Sequence, residues 1–156
     1  MSILERKATL AAPVSALDHQ CGPKYAKAVV VEYGDFECPT CQAAEPTVRL
    51  LRQLHADTML FVFRHFPLED AHHHALLAAE AMESAAEQGQ FWPMHDLLLE
   101  RGRHLDRRHL DEYAKRIGLN MTLFAAELDE GAFRPRVREH QEGDCAATCV
   151  RRRPFS

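Results

Sequence analysis

The sequence predicts an α/β fold in which a βαβ unit is followed by a run of helices. Three observations predict it. The β-branched run Val29–Tyr33 reads as a strand buried on both faces, and Thr58–Phe63 reads as a second. The stretch between them, Gln42 to His55, is compatible with a helix, and strand, helix and strand in that order make a parallel βαβ unit. From Ala71 to Glu130 apolar residues then recur at helical spacing, with no internal repeat.

Taken in order, Met1 to Lys27 has no convincing period, and Asp18–Pro23 reads as a loop. Glu32 interrupts the first strand, either as a strand-end acid reaching water or as a proton acceptor beneath the residues that follow. In the first helix Pro46 cannot donate a backbone hydrogen bond and should kink it, while Val48, Leu51 and Leu54 form an apolar stripe. Past Pro67, Ala78, Ala81, Met82 and Ala85 form one helix face, and Glu80, Glu83, Ser84 and Glu87 the opposite, charged one. Phe91, Met94, His95 and Leu98 repeat the spacing. So do Leu110, Tyr113, Ala114 and Ile117, between a cap at Asp106 and a stop at Gly118. Met121, Phe124, Ala125 and Leu128 follow, between Asn120 and Gly131. His72, His73 and His74 cannot converge on one ion, because neighbours on a helix point about 100° apart, so they read as a solvated helix start. His65 reads as a hydrogen-bonded structural histidine near the end of the second strand. The end is locally basic, with Arg134, Arg136, Arg138, Arg151, Arg152 and Arg153. Cys145 and Cys149 are four apart, which would align them on a helix.

Composition bounds the function. A chain of 156 residues, 46% hydrophobic and 27% charged, suffices for one domain with a core, expected to span 1–156. A net charge of −4 does not suggest a nucleic-acid partner, and no stretch approaches the ~20 apolar residues of a membrane span. The N-terminal residues do not read as a signal peptide. Five cysteines are an odd number, which argues against a fully paired secreted framework and for a cytoplasmic protein.

The chemistry centres on Cys38-Pro39-Thr40-Cys41, between the first strand and its helix. The first amides of a helix lack intrahelical acceptors and carry partial positive charge, so a thiolate there is stabilised and its pKa falls. Cys38, outermost, is the expected nucleophile and Cys41 the resolving thiol. The rival chemistry is half of a metal knuckle, which needs further ligands; only Cys145 and Cys149 would supply a second cysteine pair.

At the residues from Val30 to Cys41 the chain resembles the DsbA-like branch of thioredoxin-fold disulfide oxidoreductases. Phe63-Arg64-His65-Phe66-Pro67-Leu68 and Phe91-Trp92-Pro93-Met94-His95-Asp96-Leu97-Leu98 reinforce the resemblance. The closest flavour is a bacterial subgroup found as soluble proteins or attached to sodium/proton antiporters. The resemblance implies a thioredoxin-like fold, with a βαβ half at about 24–67 and a helical insertion at about 71–140. It implies catalytic roles for Cys38, Cys41 and Glu32, the last as acceptor of the Cys41 proton. Pro39, Thr40 and Pro154 would meet the substrate, Pro154 from the position of the family's cis-proline loop. In the family two more strands and a closing helix follow; they are absent here, and 141–156 is an atypical basic tail.

The expected function is thiol–disulfide exchange with protein or small-molecule thiols, using no cofactor and no metal. The first alternative is a weakly active or inactive remnant serving as a helical interaction module. The second is a cysteine-ligated metal site. The open edge of Val29–Tyr33 suggests pairing with another copy of the chain and conditional activity.

Overall fold

A computed structural model describes residues 12–149, with side chains to residue 142. Strand β1 (His19–Cys21) precedes β2 (Ala28–Gly34), helix α1 (Pro39–Leu54) and β3 (Met59–His65). Five helices follow: α2 (Ala75–Glu87), α3 (Phe91–Glu100), α4 (Arg107–Arg116), α5 (Met121–Glu130) and α6 (Arg134–Cys149). This is the expected thioredoxin-like α/β architecture with its helical insertion.

The sheet has the order β1-β3-β2. β2 runs parallel to β3, with Val30 opposite Phe61 and Gly34 opposite His65. β1 runs antiparallel to β3, with His19 opposite Phe63. The reading of Asp18–Pro23 as a loop is therefore corrected. Three residues carry no period of their own, and His19–Cys21 becomes a strand because β3 offers an edge to pair with. Gly22 ends β1 at φ 107°, where an added Cβ would lie 2.2 Å from the Met59 carbonyl oxygen.

All seven residues of β3 are buried. β2 is different: only Gly34 is buried and Val29 is 48% exposed. The expectation of a strand buried on both faces fails because β2 has a strand on one side only among the described residues. The stripe on α1 is likewise only partly used. Val48 packs on the core, whereas Leu54 is 70% exposed, and Leu50 and Leu51 also face outward.

The helical half holds the denser core. Met82, Met94, Leu98, Leu110 and Phe124 are fully buried. α2 lies at its centre and contacts α3, α4, α5 and α6. The charged face expected on α2 is corrected accordingly: Glu80, Glu83 and Ser84 are buried, and only Glu87 reaches water. Each buried group has a partner from another element. Arg134 pairs with Glu80 at 2.7 Å, Arg136 with Glu83 at 2.6 Å, and the Ser84 hydroxyl donates to Glu127 at 2.5 Å. Arg134 and Arg136 thus fasten α6 onto α2, while Arg138 pairs with Glu69 ahead of that helix. The caps match expectation. The Asp106 carboxylate accepts from the His109 amide, Asn120 from the Thr122 and Leu123 amides, and Gly131 closes α5 in the left-handed region.

His72–His74 precede α2 in a turn, and the solvated-start reading is corrected for two of them. His72 lies 2.6 Å from Asp35 and His74 3.0 Å from Glu37. His65 is buried with its Nε2 2.8 Å from Glu83, as a structural histidine should be. The same carboxylate oxygen meets His19 Nε2 at 2.7 Å. Among the described residues no helix is long and apolar enough to cross a membrane.

Candidate active site

The loop from Gly34 to Cys38 is fixed before the helix begins. Gly34 sits against Phe63, whose ring would lie 2.3 Å from any added Cβ. Phe36 is buried and packs on Phe63 and His95. Asp35, also buried, accepts from the Glu37 amide at 2.8 Å and from the Leu68 amide at 2.9 Å, besides its contact with His72. Glu37 accepts from the His74 amide at 2.7 Å. The segment 68–74 therefore clamps the entrance to α1 through two carboxylates. Sequence reasoning missed Asp35 and Glu37; their signal was two acids immediately before the cysteine motif.

Cys38 is the N-cap of α1, with extended backbone, and Pro39 occupies the first turn, where its missing N–H costs nothing. No side chain caps the helix. Pro39 and Thr40 are exposed, while both cysteines are half-buried, free, and 4.0 Å apart. Their environments differ. Burial raises the pKa of Cys38, but backbone hydrogen bonds from Cys41 and Thr40, reinforced by their side chains, outweigh it and hold the thiol below its usual value. Cys41 is pushed up to about 11, first by burial, then by the nearby charges of Cys38 and Glu32, with a backbone hydrogen bond at Asp35 opposing them. The structure thus brings Cys38, Cys41 and Glu32 together.

Glu32 is half-buried and its Oε2 has no hydrogen-bond partner among the described residues. Burial raises its pKa, the neighbouring Glu45 adds to the rise, and Arg52 opposes it. Glu45 was not singled out from the sequence, although it lies one helical turn beyond Cys41 and so shares its face of α1. An open groove of about 860 Å³ runs beside the motif, lined by Pro39, Gln42, Pro46, Arg101 and His104 among others.

Pro154 lies outside the described residues. Cys145 and Cys149 both fall on α6, but their side chains are outside the described set. Cys21 is exposed on β1. Among the described residues two groups of side chains have ligand atoms close enough to share a metal ion, His19 with His65 and Glu83, and Glu45 with His95 and Asp96. Neither contains a cysteine, so the cysteine-ligated alternative gains no further ligand from them.

A family model described as thioredoxin matches residues 15–148. The chain belongs to the thioredoxin family. Its sequence is similar to the Na(+)/H(+) antiporter NhaA 3 of Salinispora tropica, with 50% identity over 111 residues. The match covers 71% of this chain and 17% of the antiporter, so the chain spans under a fifth of that relative's length. Its fold is similar to that of alpha-DsbA1 from Wolbachia pipientis, with a TM-score of 0.74 and 16% identity over 94% of this chain and 77% of the other. The thiol-disulfide exchange protein alpha-DsbA2 from the same organism gives a TM-score of 0.68 at 16% identity, over 85% of this chain and 68% of that one. These likenesses establish the DsbA-like form of the thioredoxin fold.

Proposed function

We propose that this chain is a thiol–disulfide oxidoreductase acting on protein or small-molecule disulfides through Cys38 and Cys41. The observation that carries the reading is the opposed character of two adjacent thiols at one helix start. Cys38 is held low by backbone donors, and Cys41 is pushed up to about 11 by burial. In the reductive direction the Cys38 thiolate attacks one sulfur of a substrate disulfide. A Cys38–substrate bond forms, the substrate S–S bond breaks, and one substrate thiolate leaves. Cys41 then loses its proton to Glu32 and attacks the Cys38 sulfur. The Cys38–Cys41 disulfide forms and the second substrate thiolate departs, so the substrate is reduced and the pair oxidised. The reverse sequence oxidises a substrate dithiol. Pro39 and Thr40, exposed between the two sulfurs, meet the substrate in either direction, and no cofactor enters the cycle.

The test compares disulfide reduction by the purified chain with that of Cys38→Ser. Loss of turnover in the variant, and alkylation of Cys38 ahead of Cys41 near neutral pH, are the expected results. Turnover undiminished in Cys38→Ser would overturn the reading. On the odd cysteine count we place the reaction in the cytoplasm, which fractionation of the native host tests.

A second reading, an interaction module, is favoured by the exposed Val29, Leu50, Leu51 and Leu54 on β2 and α1. Its occupant would be a second copy of this chain, paired along the edge of β2 that has no neighbouring strand among the described residues.

A further inference from the structure

Resting on the thiol–disulfide reading, we infer that the groove between α1 and the turn after α3 holds an acidic segment of a substrate protein, so that the chain selects disulfides flanked by aspartate or glutamate. The groove encloses about 860 Å³ and begins at Pro39, the exposed residue next to Cys38. From there it follows α1 past Pro46 to Arg49. Its opposite wall is the turn Arg101-Gly102-Arg103-His104, between α3 and α4. One end of the groove therefore lies at the thiols and the other well away from them.

The two walls are held at a fixed spacing. Gly102 is buried and lies so close to the Gln42 side chain that a Cβ would have no room. Gln42 directly follows Cys41, and its side-chain amide donates to the Phe36 carbonyl at 2.9 Å. The turn after α3 is thus seated on the residue next to the motif. Leu99, itself buried, lines the groove together with Pro39 and Pro46 and offers apolar contact to a bound backbone. A groove formed before its ligand arrives loses little to ordering when the ligand docks.

Length and charge identify the occupant. The helix rises about 15 Å between Pro39 and Arg49, a distance that an extended chain covers in about five residues. A small thiol joined to Cys38 is too short to follow the groove, whereas a polypeptide carrying the reacting cysteine is not. Three arginines line the groove, Arg49, Arg101 and Arg103, against two glutamates. Glu45 is buried and already held by Arg49 at 3.2 Å and Arg52 at 3.6 Å. Glu100 lies 3.6 Å from Arg101, but both side chains are about half in water, where such a pair contributes little. Arg103 is exposed and meets no carboxylate among the described residues. Guanidinium forks match carboxylates in shape as well as charge. The chain as a whole carries −4, so its overall field repels an acidic partner and the attraction is local to the groove.

The experiment uses the reduced full chain and two peptides, each joined through its one cysteine to a coloured aromatic thiol. Cys38 bonds to the peptide sulfur, the peptide–aryl S–S bond breaks and the coloured thiolate leaves. The peptides differ only in carrying aspartates or asparagines within about five residues on either side of the cysteine. The aspartate peptide should react about 5- to 10-fold faster, and the preference should fade as salt is raised, a measurement that needs no variant. The ratio of the two rate constants is read within each protein, so a general defect in a variant cancels. Arg101→Glu with Arg103→Glu should bring the ratio below one, and Arg101→Lys with Arg103→Lys should keep it above. A ratio near one in the wild-type chain overturns the groove, as does a ratio indifferent to salt or one that survives the double charge reversal. So does an equal preference for a small dicarboxylate disulfide, because no segment is then needed. Each of these leaves the redox reading standing when the wild-type chain cleaves a small neutral aromatic disulfide. Failure of the wild-type chain to cleave any of the disulfides overturns the redox reading itself.

Discussion

β2 and β3 lie side by side in one sheet, both seven residues long and both mainly apolar, yet β3 is buried from end to end while β2 buries only Gly34. The helices repeat the division. α2 buries even Glu80, Glu83 and Ser84, whereas α1 leaves Leu50, Leu51 and Leu54 in water. Place in the fold, not composition, sets this difference. β3 has a strand on each side and α6 against it; β2 has one neighbour among the described residues. The division suits the proposed chemistry. A redox pair must present one sulfur to a substrate and shelter the other, which a half-covered helix start allows. The loop that aims it is held by the covered half, through Phe36 on Phe63 and Asp35 on the 68–74 segment.

The largest expected contrast is in stability. Phe63→Ala empties a site that is 1% exposed and should cost about 3–5 kcal/mol. Val29→Ala on the half-exposed strand should cost about 0.5 kcal/mol. Urea unfolding of both variants measures this, and equal losses would break the comparison.

Next is chemistry on the outer pair. Glu32→Gln should slow resolution of the mixed disulfide on the order of 10²-fold while leaving its formation alone. Quenched-flow mass mapping separates the steps. Equal slowing of both would return Glu32 to the role of a strand-end acid.

A smaller effect should appear with pH, and it belongs to the inner half. Burial lowers the pKa of His65, His95 and His140, the last to about 4 from a usual 6.5. Between those pH values the unfolded chain binds more protons than the folded one, so stability rises with pH across that window and falls on acidification. His140→Phe should flatten the slope in urea midpoints taken from pH 4 to 7; an unchanged slope would remove His140 from the account.

The smallest effect on folding should come from Val29→Lys. A charge at the exposed edge should leave unfolding within about 0.5 kcal/mol of the parent yet lower any self-association. Sedimentation reads the latter, and association unaltered by the charge would place the contact elsewhere.

By itself the sequence determined the order of βαβ unit and helices, because β-branched runs, helical periods and the caps at Asp106, Asn120 and Gly131 are local signals. It also set two cysteines, Cys38 and Cys41, two residues apart after a strand, the spacing on which the proposed disulfide chemistry rests. It also marked Glu32 as an acid where apolar residues were due. Only tertiary structure decided which of two similar strands is central and that His19–Cys21 pairs at all, because an edge is defined by a neighbour distant in sequence. It also decided that the acids of α2 are buried rather than solvated, since Arg134, Arg136, His19 and His65 reach them from other elements. Glu45 and His95 show the same limit. One turn of helix relates Glu45 to Cys41, but nothing local says that α3 will bring a neutral imidazole against it. Burial and electrostatic coupling depend on what packs across the gap, and that is settled only when the chain has closed on itself.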